Sequence, residues 1–337
     1  MNFEYKETID KQRELVSLQK KVVSKSLVSA LKVFLYIMCL AIVTGGFFGL
    51  GVIHGIIKSA PSVENISIVP SSYSTTVYDT NNKQIAKLIT SGSNRIKADL
   101  KDIPEHLRWA FIDTEDARFY EHNGIDIQGI GRAAFIALTT LNPSEGASTI
   151  TQQVLKNNVF TSWTEEASLT SSLKRKIQEQ YLAVQLEKVT KKDVILETYL
   201  NTINLGSNTL GVKAASLRYF NKDVSKITVS EAGVIAAITQ NPSLYNPITN
   251  PDENAKRRKK ILTNMKNAGH ITQEQYDEAM SDNVYARIKK VNNKLTKSDD
   301  QVYSYFVDEV VKQVLSDFRN RKAILILRLT MPYTAVV

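Results

Sequence analysis

Residues 33–57 contain no charged side chain, although charged residues make up 23% of the chain. As an α-helix, this run is long enough to cross the roughly 30 Å hydrocarbon core of a bilayer. The residues before it include several lysines and no acidic residue after Glu14. Because positive charge is retained in the cytoplasm, we expect a cytoplasmic basic tail over 1–32 and an uncleaved, single-pass transmembrane anchor over 33–57. The rest of the chain is then expected outside the cytoplasm.

The segment after the anchor predicts a short stalk and then a small β-hairpin. Residues 58–73 are rich in Ser, Pro and Asn, and residues 75–88 alternate loosely around a central Asn-Asn pair. Beyond residue 100 the apolar spacing becomes helical. We therefore predict a mainly α domain over 74–275, with the hairpin near the membrane, and a linker with an aberrant C-terminal tail over 276–337.

Charge and cysteine content narrow the possible chemistry. The net charge of +9 favours an anionic partner, such as nucleic acid, anionic lipid or a phosphorylated substrate. Cys39 is the only cysteine and lies in the anchor, which excludes a disulfide or a cysteine metal site within one chain. The basic run at 256–260 is typical of a solvated face, or of a face that touches lipid headgroups. It has no interleaved aromatic residues, and the anchor also argues against nucleic acid.

A catalytic acid or base is predicted at Glu115. Leu107, Ala110 and Phe111 recur at i, i+3 and i+4, and Glu115 follows four residues after Phe111 on the same helical stripe. A carboxylate at the border of apolar packing is partly desolvated, which suits proton transfer near neutral pH. A solvated, acidic helix end is the alternative interpretation of the same residues.

The next segments predict a polar cleft with an anion site. Arg132 is the lone cation in an apolar helical run, so it either points into a polar cleft or extends to the surface. Ser148 or Thr149 can cap the helix that follows. On that helix, the positions i, i+3, i+4 and i+7 form a polar stripe of Thr149, Gln152, Gln153 and Lys156. Free N–H groups at a helix start beside such a stripe favour anion binding.

A cluster of cations follows on a long helix. Lys174, Arg175 and Lys176 are consecutive, and Arg175 lies four residues before Glu179. A surface salt bridge is the simplest explanation for the Arg175–Glu179 pair. Three cations on one turn nevertheless repel one another unless an anion neutralises them, which favours an anionic ligand. Glu197, on the next helix, is predicted to have a structural role through a salt bridge.

Taken together, these segments resemble the peptidoglycan glycosyltransferase family (glycosyltransferase family 51), the polymerase domain of class A penicillin-binding proteins. Five blocks match in order, and they are Glu115-Asp116-x-x-Phe119-x-x-His122-x-Gly124, Gly146-x-Ser148-Thr149-Ile150-Thr151-Gln152-Gln153, Arg175-Lys176-x-x-Glu179, Lys192-x-x-Ile195-Leu196-Glu197-x-Tyr199-Leu200-Asn201, and Arg257-Arg258-x-x-Ile261-Leu262. The visible departure is Ala147, where the family usually has a second glycine.

The resemblance implies a lysozyme-like domain that polymerises lipid II into glycan strands, with inversion at the anomeric carbon and release of undecaprenyl pyrophosphate. Glu115 would be the base that takes the proton from the acceptor's 4-hydroxyl. Glu179 would orient basic groups, or a divalent cation (Mg²⁺ or Mn²⁺), at the donor pyrophosphate. The substrate-binding residues would be Asp116, Arg132, Ser148, Thr149, Gln152, Gln153, Lys156, Arg175 and Lys176. The implied partners are lipid II, the growing lipid-linked chain, membrane lipids and other cell-wall synthesis or division proteins, but no nucleic acid.

Two other functions are compatible with parts of the pattern. A lysozyme-like enzyme that cleaves glycans would also use a glutamate in a helical cleft, but it has no need for so many neighbouring cations. A non-catalytic, membrane-anchored cell-wall scaffold would not need Glu115, Glu179 and Lys156 together.

Class A penicillin-binding proteins also contain a transpeptidase, whose motifs are Ser-x-x-Lys, Ser-x-Asn and Lys-[Ser/Thr]-Gly. Ser171-Ser-Leu-Lys174 and Ser281-Asp-Asn283 match the first two by chance, and the third does not occur. We therefore expect no transpeptidase activity and no penicillin adduct from these residues.

Overall fold

In the N-terminal unit, Met1–Ala60, the described residues form one long helix and a short turn after it. The structure is a computed structural model that describes residues 3–68, 75–78, 84–88, 95–140, 146–160, 168–295, 312–314 and 334–336. Helix α1 spans Phe3–Lys58, and within its part Leu27–Lys58 an 18-residue window has a mean hydropathy of 2.3 and is not buried. Within the described residues it is the one helix long and apolar enough to cross a membrane. The prediction of one N-terminal apolar helix is confirmed, and the helix also extends back through most of the basic tail.

The second unit, Pro61–Val337, is mainly helical, as predicted. Its helices are α2 (Glu105–Glu115), α3 (Ile127–Thr140), α4 (Ile150–Asn158), α5 (Leu169–Val189), α6 (Lys192–Thr202), α7 (Val212–Phe220), α8 (Val229–Ala237), α9 (Pro251–Asn267), α10 (Gln273–Ser281) and α11 (Val284–Leu295). Helix α8 packs against α2, α9 and α10, and α4 packs against α5 and α6. Their shared core contains fully buried apolar side chains such as Leu107, Phe111, Leu155, Leu196, Ile235 and Leu262.

The two strands of the predicted hairpin are β1 (Thr75–Tyr78) and β2 (Gln84–Leu88), paired antiparallel with one irregularity between Val77 and Tyr78. The Asn81-Asn82 turn lies outside the described residues. A third strand, β3 (Thr334–Val336), pairs parallel with β1, giving the order β2-β1-β3. No strand was expected in the apolar tail, because three residues carry too little periodicity to predict one.

Helix α3 is apolar in composition, yet among its residues Gly129 alone is buried. Ile127, Phe135 and Leu138 each expose more than two thirds of their surface. Arg132 is exposed on the same helix. The apolar run that contains Arg132 therefore does not form a core helix.

The basic run at the start of α9 is not a uniform solvated face. Arg258 is 5% exposed. Its guanidinium donates to the Ser230 carbonyl at 3.2 Å and to the Ser230 hydroxyl at 2.8 Å, and it also donates to the Ala279 carbonyl. Arg258 thereby joins α8, α9 and α10, whereas Lys259 and Lys260 are exposed.

Glu197 makes a structural contact, although it forms no salt bridge with any of the residues that the structure describes. Its carboxylate accepts a hydrogen bond from the backbone N–H of Leu100 at 2.8 Å. One turn later, the Asn201 side chain pairs with both backbone groups of Ala98, at 2.8 and 2.9 Å. These contacts attach α6 to the segment that leads into α2.

Gly124 is required by both its conformation and its surroundings. Its φ of +89° is unfavourable for other residues, and a Cβ there would lie 2.5 Å from the Ala183 carbonyl group.

We expect Gly124→Ala to lower the free energy of unfolding by about 2–4 kcal/mol. Gly131→Ala is the matched control, because nothing lies within 4 Å of a Cβ at this helical position. It should change stability by at most about 1 kcal/mol, in the stabilising direction. Urea denaturation of the full chain in neutral detergent, followed by tryptophan fluorescence, measures both, and equal midpoints would contradict this account.

Candidate active site

A cleft of about 650 Å³ lies where the end of α2 and the start of α4 meet α3 and α9. Six of the predicted site residues line it, namely Glu115, Asp116, Arg132, Ser148, Thr149 and Gln153. The other five do not line the described part of the cleft, and they are Gln152, Lys156, Arg175, Lys176 and Glu179. Arg132 lines the cleft and is also exposed, so each of its two predicted placements describes it in part.

Glu115 is the last residue of α2, and its carboxylate is held from two directions. Leu107, Ala110 and Phe111 are fully buried, so the predicted apolar stripe delivers Glu115 to the edge of the core. The side chain is 15% exposed. Its Oε1 accepts a hydrogen bond from Thr239 Oγ1 at 2.5 Å, and its Oε2 accepts one from Gln153 Nε2 at 3.0 Å. Each oxygen keeps a second acceptor site for a substrate hydroxyl.

Arg257 extends this support from α9. Its Nη2 lies 4.0 Å from Glu115 Oε1, and its Nη1 donates to Gln240 Oε1 at 2.5 Å. The guanidinium also lies 5.1 Å from the centre of the Tyr245 ring. Thr239, Gln240 and Arg257 were not predicted as site residues. Arg257 occurred in a matched block and in the basic run, but neither pattern indicated that it faces Glu115.

Asp116 joins the end of α2 to the start of α4. Its Oδ2 accepts a hydrogen bond from the Ile150 backbone N–H at 2.9 Å, and its two oxygens lie 2.9 and 3.0 Å from His122 Nε2. Asp116 is 6% exposed. The carboxylate is thus occupied by the protein itself, although it borders the cleft. This arrangement favours a positioning role over direct contact with substrate.

Thr149 is the N-cap of α4, one of the two predicted caps. Its hydroxyl accepts from the Gln152 N–H at 3.2 Å and donates to the Gly124 carbonyl at 2.7 Å. Thr149 and Gln152 are each 1% exposed, so half of the predicted polar stripe is buried. Gln153 faces Glu115, and Lys156 is half-buried farther along the helix.

The predicted cation cluster surrounds a buried carboxylate on α5. Glu179 is 0% exposed. One of its oxygens accepts from Arg175, and the other accepts from Lys176 Nζ at 3.2 Å. Lys176 Nζ also donates to Ser148 Oγ at 2.6 Å, and Ser148 lines the cleft. The Arg175–Glu179 salt bridge was therefore predicted correctly as a pair, but it is not a surface pair.

The buried phenol of Tyr199 is influenced by the charges of the two acidic residues at the end of α2. It is fully buried against Phe111, with ring centres 6.0 Å apart. Burial, and then the charges of Glu115 and Asp116, raise the pKa of the Tyr199 phenol well above its ordinary value. The phenol therefore stays protonated at any pH at which Glu115 could act.

The described residues do not fit a metal ion held by the protein. They contain no group of three His, Cys, Asp or Glu side chains that could hold one. Both oxygens of Glu179, the residue expected beside a divalent cation, already accept hydrogen bonds from Arg175 and Lys176.

Comparison with known proteins adds family membership to this geometry. The sequence model of the transglycosylase family matches residues 81–266. Penicillin-binding protein 1A of Clostridium botulinum (strain Hall) is 37% identical over 90% of this chain and 36% of its own length. Penicillin-binding protein 1A/1B of Bacillus subtilis is 39% identical over 79% of this chain and 29% of its own length.

Among solved structures, penicillin-binding protein 1A from Haemophilus influenzae matches 63% of this chain and 20% of its own, with 23% identity and a TM-score of 0.35. That score is too low for a comparison of the two folds. The chain spans about a third of the length of the curated relatives named above. All five matched blocks, from Glu115 to Leu262, lie inside the region matched by the family model, which covers more than half of the chain. The chain belongs to the transglycosylase family.

Proposed function

We propose that this chain is a membrane-anchored peptidoglycan glycosyltransferase that polymerises lipid II into glycan strands. The observation that carries the proposal is the pair of donors on Glu115. Thr239 and Gln153 hold its carboxylate at the edge of a polar cleft that connects through Ser148 to the cations around Glu179. A base with a diphosphate site beside it is what glycosyl transfer from a lipid diphosphate requires.

In the proposed reaction, Glu115 takes the proton from the 4-hydroxyl of the acceptor sugar. The hydroxyl oxygen attacks the anomeric carbon of the donor, and a new glycosidic bond forms. The bond from that carbon to the diphosphate oxygen breaks, and undecaprenyl pyrophosphate leaves with the electron pair. Attack from the face opposite the leaving group inverts the anomeric configuration.

The α5 cluster is suited to the leaving diphosphate. Arg175 and Lys176 share one buried carboxylate, so the group of two cations and Glu179 keeps a net positive charge. Because Glu179 fixes the two cations before substrate binds, little reorganisation is needed as charge develops on the diphosphate. Lys176 donates to Ser148, which lines the cleft, and is therefore the α5 cation best placed to meet the diphosphate.

A glycan-cleaving activity of the lysozyme type is less well supported. Such enzymes need a second carboxylate, either as nucleophile or to activate water. In the described part of the cleft, the other carboxylates are already paired. Asp113 contacts His270, Asp116 contacts His122, and Asp126 contacts Arg118. Glu115 therefore has no such partner among the described residues, and a single base matches glycosyl transfer.

The proposal also includes the membrane topology and the divalent cation that is expected near the donor diphosphate. The lysines before α1's apolar part support a cytoplasmic N-terminus, with the transglycosylase domain on the outer face of the membrane. The expectation of Mg²⁺ or Mn²⁺ near the donor diphosphate stays a prediction, and no step of the proposed reaction requires it. Other cell-wall synthesis or division proteins likewise remain predicted partners.

Product analysis with lipid II tests the proposed function directly. A glycosyltransferase yields glycan chains, a lysozyme-like enzyme yields cleaved glycans, and a scaffold yields neither. Glu115→Gln should reduce chain synthesis by about 100-fold to 10,000-fold, because it removes the proton acceptor and keeps the side-chain shape. Glu121→Gln, on the exposed turn after α2, is the matched control and should retain activity. More than a tenth of wild-type synthesis in Glu115→Gln would exclude Glu115 as the base.

Thr239→Val should lower the rate of chain synthesis by about tenfold, since it removes a hydrogen bond to a charged group and preserves volume. Thr263→Val is the control, because the Thr263 hydroxyl donates to the Lys259 carbonyl within its own helix. An unchanged rate of chain synthesis in Thr239→Val would leave Thr239 with a packing role alone.

Lys156→Ala and Arg175→Ala should each weaken binding of lipid diphosphates, and of moenomycin, the phosphoglycolipid inhibitor that the resembled family binds, by about tenfold. Lys188→Ala, at the exposed end of α5, is the matched control. Thermal melting of each variant separates lost binding from lost folding. Wild-type affinity in both variants would show that the two cations are solvated surface groups that do not bind substrate.

A further inference from the structure

One side of α9 presents a polar stripe to the cleft. Arg257, Lys260, Asn264 and Asn267 recur at i, i+3, i+7 and i+10 and all line the cleft. At 1.5 Å per residue, the stripe is about 15 Å long. It begins beside the proposed base, where Arg257 lies 4.0 Å from Glu115.

Lys260 is the available charge in this stripe. Arg257 is engaged by Gln240 and Glu115. Lys260 is exposed and forms no salt bridge with any described residue. Its neighbour Lys256, by contrast, pairs with Glu253 at 2.5 Å. A cation in a cleft that has no acidic partner among the described residues is available for an anionic group of a ligand.

Asp113, an acidic side chain of α2, forms no salt bridge with Lys260 among the described residues. Asp113 lines the same cleft, but its Oδ2 lies 2.8 Å from His270 Nδ1. His270 is in turn stacked on Trp109, with ring centres 3.6 Å apart. Asp113 is therefore held by its own partner, and Lys256 and Lys259 do not line the cleft.

The stripe is separate from the diphosphate site of the proposed reaction. Of the α5 cations, Lys176 contacts Ser148, which lines the cleft before α4, whereas Arg257 and Lys260 belong to α9. A stripe about 15 Å long matches four to five residues of extended peptide. Its two asparagines offer amide donors and acceptors for peptide groups, and Lys260 offers a cation for a carboxylate.

We propose that the α9 stripe binds the acidic peptide arm carried by the muramyl sugar of the substrate, with Lys260 pairing with a carboxylate of that arm. The inference rests on the proposed function, because it assigns a second part of the same substrate to the same cleft. Anionic lipid headgroups are the competing ligand for basic residues on α9. They fit less well, since Lys256 and Lys259, the more peripheral cations, do not line the cleft.

The test compares two substrates in neutral detergent: lipid II with its peptide, and a lipid II analogue whose muramyl lactate is capped as a methyl amide. For Lys260→Gln, the ratio of kcat/KM for the peptide-bearing substrate to that for the capped analogue should fall about three- to tenfold. Lys260→Glu should lower the ratio further, because it repels the carboxylate. Lys259→Gln is the matched control, exposed and outside the cleft, and should leave the ratio unchanged.

The outcomes separate the two proposals. An equal loss on both substrates, or no loss on either, overturns the peptide site while the proposed polymerisation stands. A loss that appears only when vesicles containing anionic phospholipid replace the detergent assigns Lys260 to lipid and also overturns it. No polymer from the unmodified chain with either substrate overturns the proposed function itself, and the peptide site with it.

Discussion

The contacts of Asp116 determine the geometry of the whole cleft. This one buried carboxylate accepts from the first N–H of α4 and contacts His122, so the end of α2 and the start of α4 cannot move apart independently. Glu115 directly precedes Asp116 in the chain. Gln153 lies in the first turn of α4, the helix whose N-terminus is bound by Asp116. Their 3.0 Å hydrogen bond therefore depends on a residue that need not touch substrate. A carboxylate at a helix N-terminus is also electrostatically favourable.

Pairing of the other charges gives Glu115 its distinct chemistry. Burial of an unpaired carboxylate is costly, and the acidic groups around the cleft avoid that cost through His270, His122 and Arg118. Glu179 is more deeply buried and has two cationic partners. Glu115 instead receives neutral donors, Thr239 and Gln153, and keeps only a distant guanidinium. It thus remains the carboxylate best able to accept a proton from a ligand.

Local patterns were sufficient where the relevant contacts are local. The apolar stripe before Glu115, the cap at Thr149 and the Arg175–Glu179 pair each depend on residues within one or two helical turns, and each was predicted from spacing. Thr239 could not be found this way, because it is separated from Glu115 by 124 residues and meets it only when α8 packs against α2. The burial of Gln152 and Arg258 was likewise set by neighbouring helices.

By itself, the sequence determined the mainly helical class, the apolar N-terminal helix, the family and the residue that ends α2 at the cleft, since periodicity, length and motif order are properties of a linear chain. The tertiary structure alone decided which polar groups surround that residue. It brought Thr239 and Arg257 to Glu115, and it surrounded the carboxylates of Asp116 and Glu179 with hydrogen-bond partners. It also placed Lys260, rather than Lys259, in the lining of the cleft. Helix packing makes these choices, because a rotation of α9 by one residue would present a different cation to the substrate.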